Sequence, residues 1–152
     1  MYVYYENPNS DDSLNKYHIE LISLSAAHKK FSVSQYLEFG LTTGQPKVLS
    51  ILRDKEGYLQ KDLAKRCGVE PATMTSILTN MMNKGLIEKK TVYVSGGKRA
   101  FAIFLTDKGM ELAKKVDNVI DEAEEKSFEG FTPEEKMNFI RMMHKITRNL
   151  ET

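Results

Sequence analysis

One cysteine, three scattered histidines and no long apolar run set the first limits on what this 152-residue chain can be. The lone Cys67 excludes an intrachain disulfide and any zinc site built from several cysteines. His18, His28 and His144 stand apart from one another. There is no HExxH, no glycine-rich phosphate loop and no Ser/His/Asp order at a catalytic spacing, so enzyme chemistry has no foothold and no metal or cofactor is expected. No apolar stretch approaches the ~18–20 residues that span a bilayer. The start, MYVYYENPNSDD, has neither the basic residues nor the apolar core of a signal peptide, so a cytoplasmic protein without membrane attachment is expected. One compact unit fits this length, with 41% hydrophobic and 28% charged residues.

A charge of one sign is also scarce, since the formal net charge is only +1. Its distribution is uneven. Residues 53–99 hold ten Lys/Arg against five Asp/Glu, whereas residues 1–52 hold four against five and residues 100–152 eight against eleven. A positive middle between acidic ends attracts phosphate to that middle alone.

The same segment contains the most telling pattern, LQKDLAKRCGVEPATMTSILTNMMNKGLI at residues 59–87. Leu63, Ala64 and Cys67 recur at helical spacing, Gly68 stops the first helix, and Val69 packs the turn. Pro71 opens a second helix whose apolar stripe is Met74, Ile77, Leu78 and Met81. Burying that stripe leaves Ala72, Thr73, Thr75, Ser76, Thr79 and Asn80 on the other face. Small, uncharged hydrogen-bonding groups of this kind suit a helix that enters the major groove of DNA. Cys67 falls on the core side, which predicts a buried and inert thiol.

Upstream, the first ten residues lack periodicity and read as a loose arm. A helical pattern runs from about Ser13 to Phe39 and includes Leu14, Tyr17, His18, Leu21, Ile22, Leu24, Phe31 and Tyr36. Val33 and its neighbouring serines weaken it near residue 32, where a kink or break is an option. Thr42 and Gln45 fit a capping box that opens a helix with Val48, Leu49, Ile51 and Leu52 buried. Beyond Gly85 the period shortens to two. Leu86–Val94 and Arg99–Leu105 flank Ser95-Gly96-Gly97-Lys98 and predict a β-hairpin with Lys98 and Arg99 at its tip. A hairpin directly after such a helix pair is a wing. Thr106-Asp107 then opens a long helix, and Thr132-Pro133-Glu134-Glu135 a last one. The last helix carries Met137, Phe139, Ile140, Met142, Met143, Ile146 and Leu150, an apolar set too wide for one neighbour, which predicts association with a second copy.

Leu41-Thr42, Gln45, Val48-Leu49 and Leu52, then Asp62-Leu63-Ala64, Gly68-Val69, Pro71–Thr75, Lys84–Ile87 and Leu105–Gly109, together resemble the MarR family of bacterial regulators. The motifs cover residues 41–109. The resemblance implies an α+β, mostly α, winged helix-turn-helix with N- and C-terminal dimerisation helices. Its parts would be an arm and dimerisation helix at 1–41, a DNA-binding domain at 42–106, and dimerisation helices at 107–152. It implies a homodimer that binds a pseudo-palindromic operator in double-stranded DNA, as a repressor that a small phenolic or lipophilic effector could release. Pro71–Asn80 match the recognition helix, Arg99 the wing arginine that enters the minor groove, and Gln60 and Lys61 the phosphate-contacting start of the preceding helix. Phe31, Tyr36 and Phe39 would lie near the effector cleft, although core packing at that junction explains them equally well. Two positions depart from the family pattern. Gly97 replaces an aspartate two residues before the wing arginine, and Ser76 replaces a basic residue, so fewer fixed DNA contacts are expected. The alternative is a winged-helix protein-interaction module without specific DNA binding.

Overall fold

The computed structural model describes residues 16–152. The elements run α1 (Tyr17–Glu38), α2 (Gln45–Asp54), β1 (Tyr58–Leu59), α3 (Gln60–Cys67), α4 (Pro71–Asn83), β2 (Ile87–Val94), β3 (Lys98–Leu105), α5 (Asp107–Ser127) and α6 (Pro133–Leu150). The arm expected over the first ten residues, and the helix start expected at Ser13 and Leu14, lie outside the described residues.

Helix α1 runs through residue 32 without a break. Ser32 is buried and turns its hydroxyl back to donate to the His28 carbonyl at 3.1 Å, so the polar group is satisfied inside the helix. The capping box expected from Thr42 and Gln45 forms only in half. Gly44, at φ 87°, is the N-cap of α2, and the Thr42 hydroxyl caps nothing. Gln45 still reaches back, its Oε1 accepting from the Thr42 backbone N–H at 3.1 Å. A left-handed Gly44 with Pro46 in the first turn moves the helix start two residues beyond Thr42.

Strand β1 is too short for any periodicity to announce it. It forms because Gly57 turns the chain against β3, donating its N–H to the Ile103 carbonyl at 2.9 Å. Tyr58 then pairs with Ile103 and Leu59 with Ala102. The antiparallel sheet has the order β1-β3-β2. In the hairpin Tyr93 lies opposite Arg99 and Thr91 opposite Phe101.

The core gathers Val48, Leu49 and Leu52 of α2, Leu63 and Ala64 of α3, Met74, Leu78 and Met81 of α4, Ile103 of β3, and Ala113 and Val116 of α5. Each fully buried Leu or Met contributes roughly 1.5–3 kcal/mol of apolar transfer. Gly68 ends α3 at φ 66°, where it sets the angle between the two helices. Thr106 caps α5 by accepting from the Gly109 N–H at 3.0 Å. The capping box at α6 forms in full: Thr132 Oγ1 accepts from Glu135 N–H at 3.2 Å, and Glu135 Oε2 accepts from Thr132 N–H at 2.8 Å.

The end helices bury little within one chain. Helix α6 has no buried residue, and α1 has only Ser32. Ile22, Leu21 and Leu24 of α1, and Met143, Ile146 and Leu150 of α6, are exposed. None of the described helices is long and apolar enough to cross a membrane.

Candidate nucleic-acid interface

Helices α3 and α4 meet through their buried sides, which leaves one face of α4 outward. Met74, Leu78 and Met81 are buried, while Ala72, Thr73, Thr75, Ser76, Thr79 and Asn80 are all exposed. Glu70, the residue before α4, makes no side-chain capping bond. With no acidic side chain in the first turn, the unpaired N–H groups and the positive end of the helix dipole are left for an anion.

Two of the hydroxyls on this face, those of Thr75 and Ser76, are not free rotors. Thr75 Oγ1 donates to the Pro71 carbonyl at 3.0 Å and accepts from Gln60 Nε2 at 2.9 Å. Ser76 Oγ donates to the Ala72 carbonyl at 3.3 Å. Gln60 is therefore half-buried and tied across to α4, while Lys61 beside it is exposed. Thr75 is committed within the helix pair, so Thr73 and Thr79 are the threonines on this face that make no side-chain hydrogen bond among the described residues. Asn80 Oδ1 accepts from the buried Gln45 at 2.8 Å.

The wing places its cations over aromatic rings. The Arg99 guanidinium lies 5.4 Å from the centroid of Phe101, and Lys89 Nζ lies 4.9 Å from the same ring. Lys90 Nζ stands 4.6 Å from the Phe104 ring. Gly96 and Gly97 adopt φ 80° and 70° at the turn. Lys98, Arg99 and Tyr93 project from the hairpin end, Tyr93 at 76% exposure. Between the helix pair and the wing lies an apolar cleft of about 420 Å³, lined by Gln60, Lys61, Pro71, Lys89 and Phe101 among others. Sequence reasoning missed Phe101 as a platform. The Arg-x-Phe spacing on a strand, which puts both side chains on one face, is the signal that carries it.

Two of the ten cations serve the fold. Arg53 pairs with Asp117 of α5. Lys84 donates to the Gly40 carbonyl at 2.7 Å and to Gln45 Oε1 at 3.1 Å. Lys61, Lys65, Arg66, Lys98 and Arg99 are exposed, and Lys89 is half-buried against Phe101.

The aromatic trio of α1 divides. Phe31 borders a shallow depression with Glu122, Glu125, Lys126 and Glu129, while Tyr36 and Phe39 pack against the core. Burial raises the Tyr36 phenol above its ordinary pKa, against a hydrogen bond with Ser32 and with a smaller push from Asp117. Cys67 is buried, as its spacing predicts. Burial pushes its thiol up, while Lys47 and Arg66 pull the other way.

The MarR family model matches residues 41–91 of this chain. The chain is 24% identical over 132 residues to the uncharacterized HTH-type transcriptional regulator YybA of Bacillus subtilis, covering 87% of each protein. It is 27% identical over 107 residues to the HTH-type transcriptional repressor Rv2887 of Mycobacterium tuberculosis, covering 70% of this chain and 76% of that one. It also superposes on a MarR family transcriptional regulator from Listeria monocytogenes solved with a 26mer DNA. The TM-score is 0.80 at 21% identity, covering 90% of this chain and 89% of that one.

Proposed function

We propose that this chain, whose residues 41–91 match the MarR family model, is a MarR-family protein and a cytoplasmic DNA-binding transcriptional regulator, a repressor acting as a homodimer, and not an enzyme. One observation supports this above others. The outward face of α4 is uncharged and hydrogen-bonding, and it is flanked on the wing by cations that, among the described residues, no carboxylate neutralises except through the loose 3.9 Å Lys90–Glu88 pair.

In this reading residues 42–106 form the DNA-binding unit, and 1–41 and 107–152 the dimerising parts. The exposed apolar faces of α1 and α6 support the second role. Lys61 and the N-terminus of α4 hold phosphates. Gln60 acts mainly by tying α3 to Thr75. Ala72, Thr73, Ser76, Thr79 and Asn80 face the bases of the major groove, and Lys98 and Arg99 follow the neighbouring minor groove. Phe31 at the depression beside α5, and Tyr36 and Phe39 where α1 meets the core, are the residues against which a small phenolic or lipophilic effector would sit.

Footprinting on DNA upstream of the coding sequence tests the proposal. Two protected half-sites centred about 10 bp or a small multiple apart are expected for a symmetric pair of recognition helices. A single unpaired footprint, or none, contradicts it.

A further inference from the structure

Gln45 is buried to 1% exposure at the start of α2, thirty-five residues from the helix it touches. Its amide makes three side-chain hydrogen bonds. Oε1 accepts from the Thr42 backbone N–H at 3.1 Å and from Lys84 Nζ at 3.1 Å, and Nε2 donates to Asn80 Oδ1 at 2.8 Å. Lys84 is itself anchored by the Gly40 carbonyl at 2.7 Å, and its backbone N–H donates to the Asn80 carbonyl at 3.0 Å.

The direction of each amide follows from its neighbours. A backbone N–H and an ammonium can only donate, so both must face the oxygen of Gln45. The nitrogen of Gln45 is thereby turned toward α4, and Asn80 must answer it with its own oxygen. The Asn80 Nδ2 group is left for the solvent side, where Asn80 is exposed.

We propose that Gln45 is a positioning residue that holds the Asn80 amide nitrogen outward, so that the recognition helix offers DNA a hydrogen-bond donor at this point. The geometry stands on its own, and its consequence rests on the DNA-binding function proposed above. The group selected is an acceptor on DNA: guanine O6 or N7, adenine N7 by a single bond, thymine O4, or a phosphate oxygen. The two-ended contact of an asparagine with adenine N6 and N7 is disfavoured, because the oxygen it requires is committed to Gln45.

Two variants test this by different routes. Gln45→Glu keeps the size and both accepted bonds, with Lys84 balancing the charge, but sets an oxygen against Asn80. Asn80 then turns its nitrogen inward and presents oxygen to DNA. Asn80→Asp keeps the bond from Gln45 and removes the nitrogen altogether. Selection from a randomised duplex pool should find both variants altered at the same base-pair position of each half-site. If the acceptor is a phosphate, both should instead lose about tenfold in affinity for every duplex alike. Native motif and affinity in Gln45→Glu would overturn the proposal, as would changes at different positions in the two variants.

Side-chain amide exchange by NMR, without DNA, separates this from a purely structural role. In the native protein the Gln45 NH2 should be protected and the Asn80 NH2 fast, and Gln45→Glu should protect the Asn80 NH2. A protected Asn80 NH2 in the native protein overturns the orientation. Failure of the native protein to bind any duplex overturns the DNA role of Asn80 along with the proposed function, and amide exchange still decides the geometry.

Discussion

The Arg99 guanidinium stands over the ring of Phe101, 5.4 Å from its centroid, with the two residues on one face of β3. Lys89 of β2 approaches the same ring to 4.9 Å. At the turn, where the family resemblance expects an aspartate to hold the wing arginine, the chain has Gly97. The aromatic ring supplies a hold of a different kind, from the electron-rich face of Phe101 to the cation. Replacing Phe101 by Leu keeps apolar cover and removes the cation–π term, worth about 0.5–1 kcal/mol at an exposed site. DNA affinity should fall roughly two- to fivefold by fluorescence anisotropy. Arg99→Ala should cost more, with circular dichroism and melting unchanged. Native affinity in Arg99→Ala would refute the assignment of the wing.

Helix α6 has no fully buried residue within one chain, and Met143 and Ile146 are exposed, so a charge placed on that part of its apolar face should spare the protomer and break the dimer. Met143→Glu and Ile146→Glu are expected to shift the mass measured by light scattering from dimer to monomer at micromolar concentration, with helix content retained in the monomer. Each lost apolar side chain removes about 1.5–3 kcal/mol per copy from the interface. A native protein that is monomeric, or a double variant that stays dimeric, contradicts this arrangement.

Cys67 should behave as packing. Its thiol is buried and raised above the ordinary value, so labelling by a thiol reagent at neutral pH should be slow in the native protein and fast in urea. The fold favours the protonated thiol. Its contribution to stability is therefore complete below the unfolded value of about 8.5 and is lost as pH rises through the folded one. The stability gap between the native protein and Cys67→Ala should be constant below about pH 8 and narrow above it. Rapid labelling of the folded protein would contradict this placement.

Gly109 lies where α5 crosses the end of the helix pair. A Cβ there would meet the Leu86 carbonyl oxygen at 1.9 Å, and backbone cannot move aside as a side chain can. Gly109→Ala should lose about 1–3 kcal/mol in urea unfolding, whatever it gains in helix propensity. An unchanged midpoint would show that the crossing is looser than this geometry requires.

The helix pair and the wing were legible because their signals are local. A 3.6-residue stripe, Gly68 and Pro71 define α3 and α4, and a two-residue period around Gly96-Gly97 defines the hairpin. Features fixed across space were not. Strand β1 exists only because β3 offers an edge to Tyr58 and Leu59. Thr42 lost its capping role because Gly44 can take a positive φ that starts α2 later. The Gln45–Asn80 bond joins residues thirty-five apart, and the division of Phe31 from Tyr36 and Phe39 depends on which way one long helix faces its neighbours. The basic excess of residues 53–99 was visible as a sum, but the inward use of Arg53 and Lys84 was not.

The central claim is specific, phosphate-dependent binding of duplex DNA. Fluorescence anisotropy with the duplex upstream of the coding sequence and with a scrambled duplex, across a salt series, tests it directly. If the dimer neutralises about 6–10 phosphates, the logarithm of the binding constant should fall with the logarithm of salt at a slope of about −5 to −9. The upstream duplex should bind more tightly than the scrambled one at every salt concentration. Absence of binding to either duplex at low salt, or binding that salt does not weaken, would contradict the account.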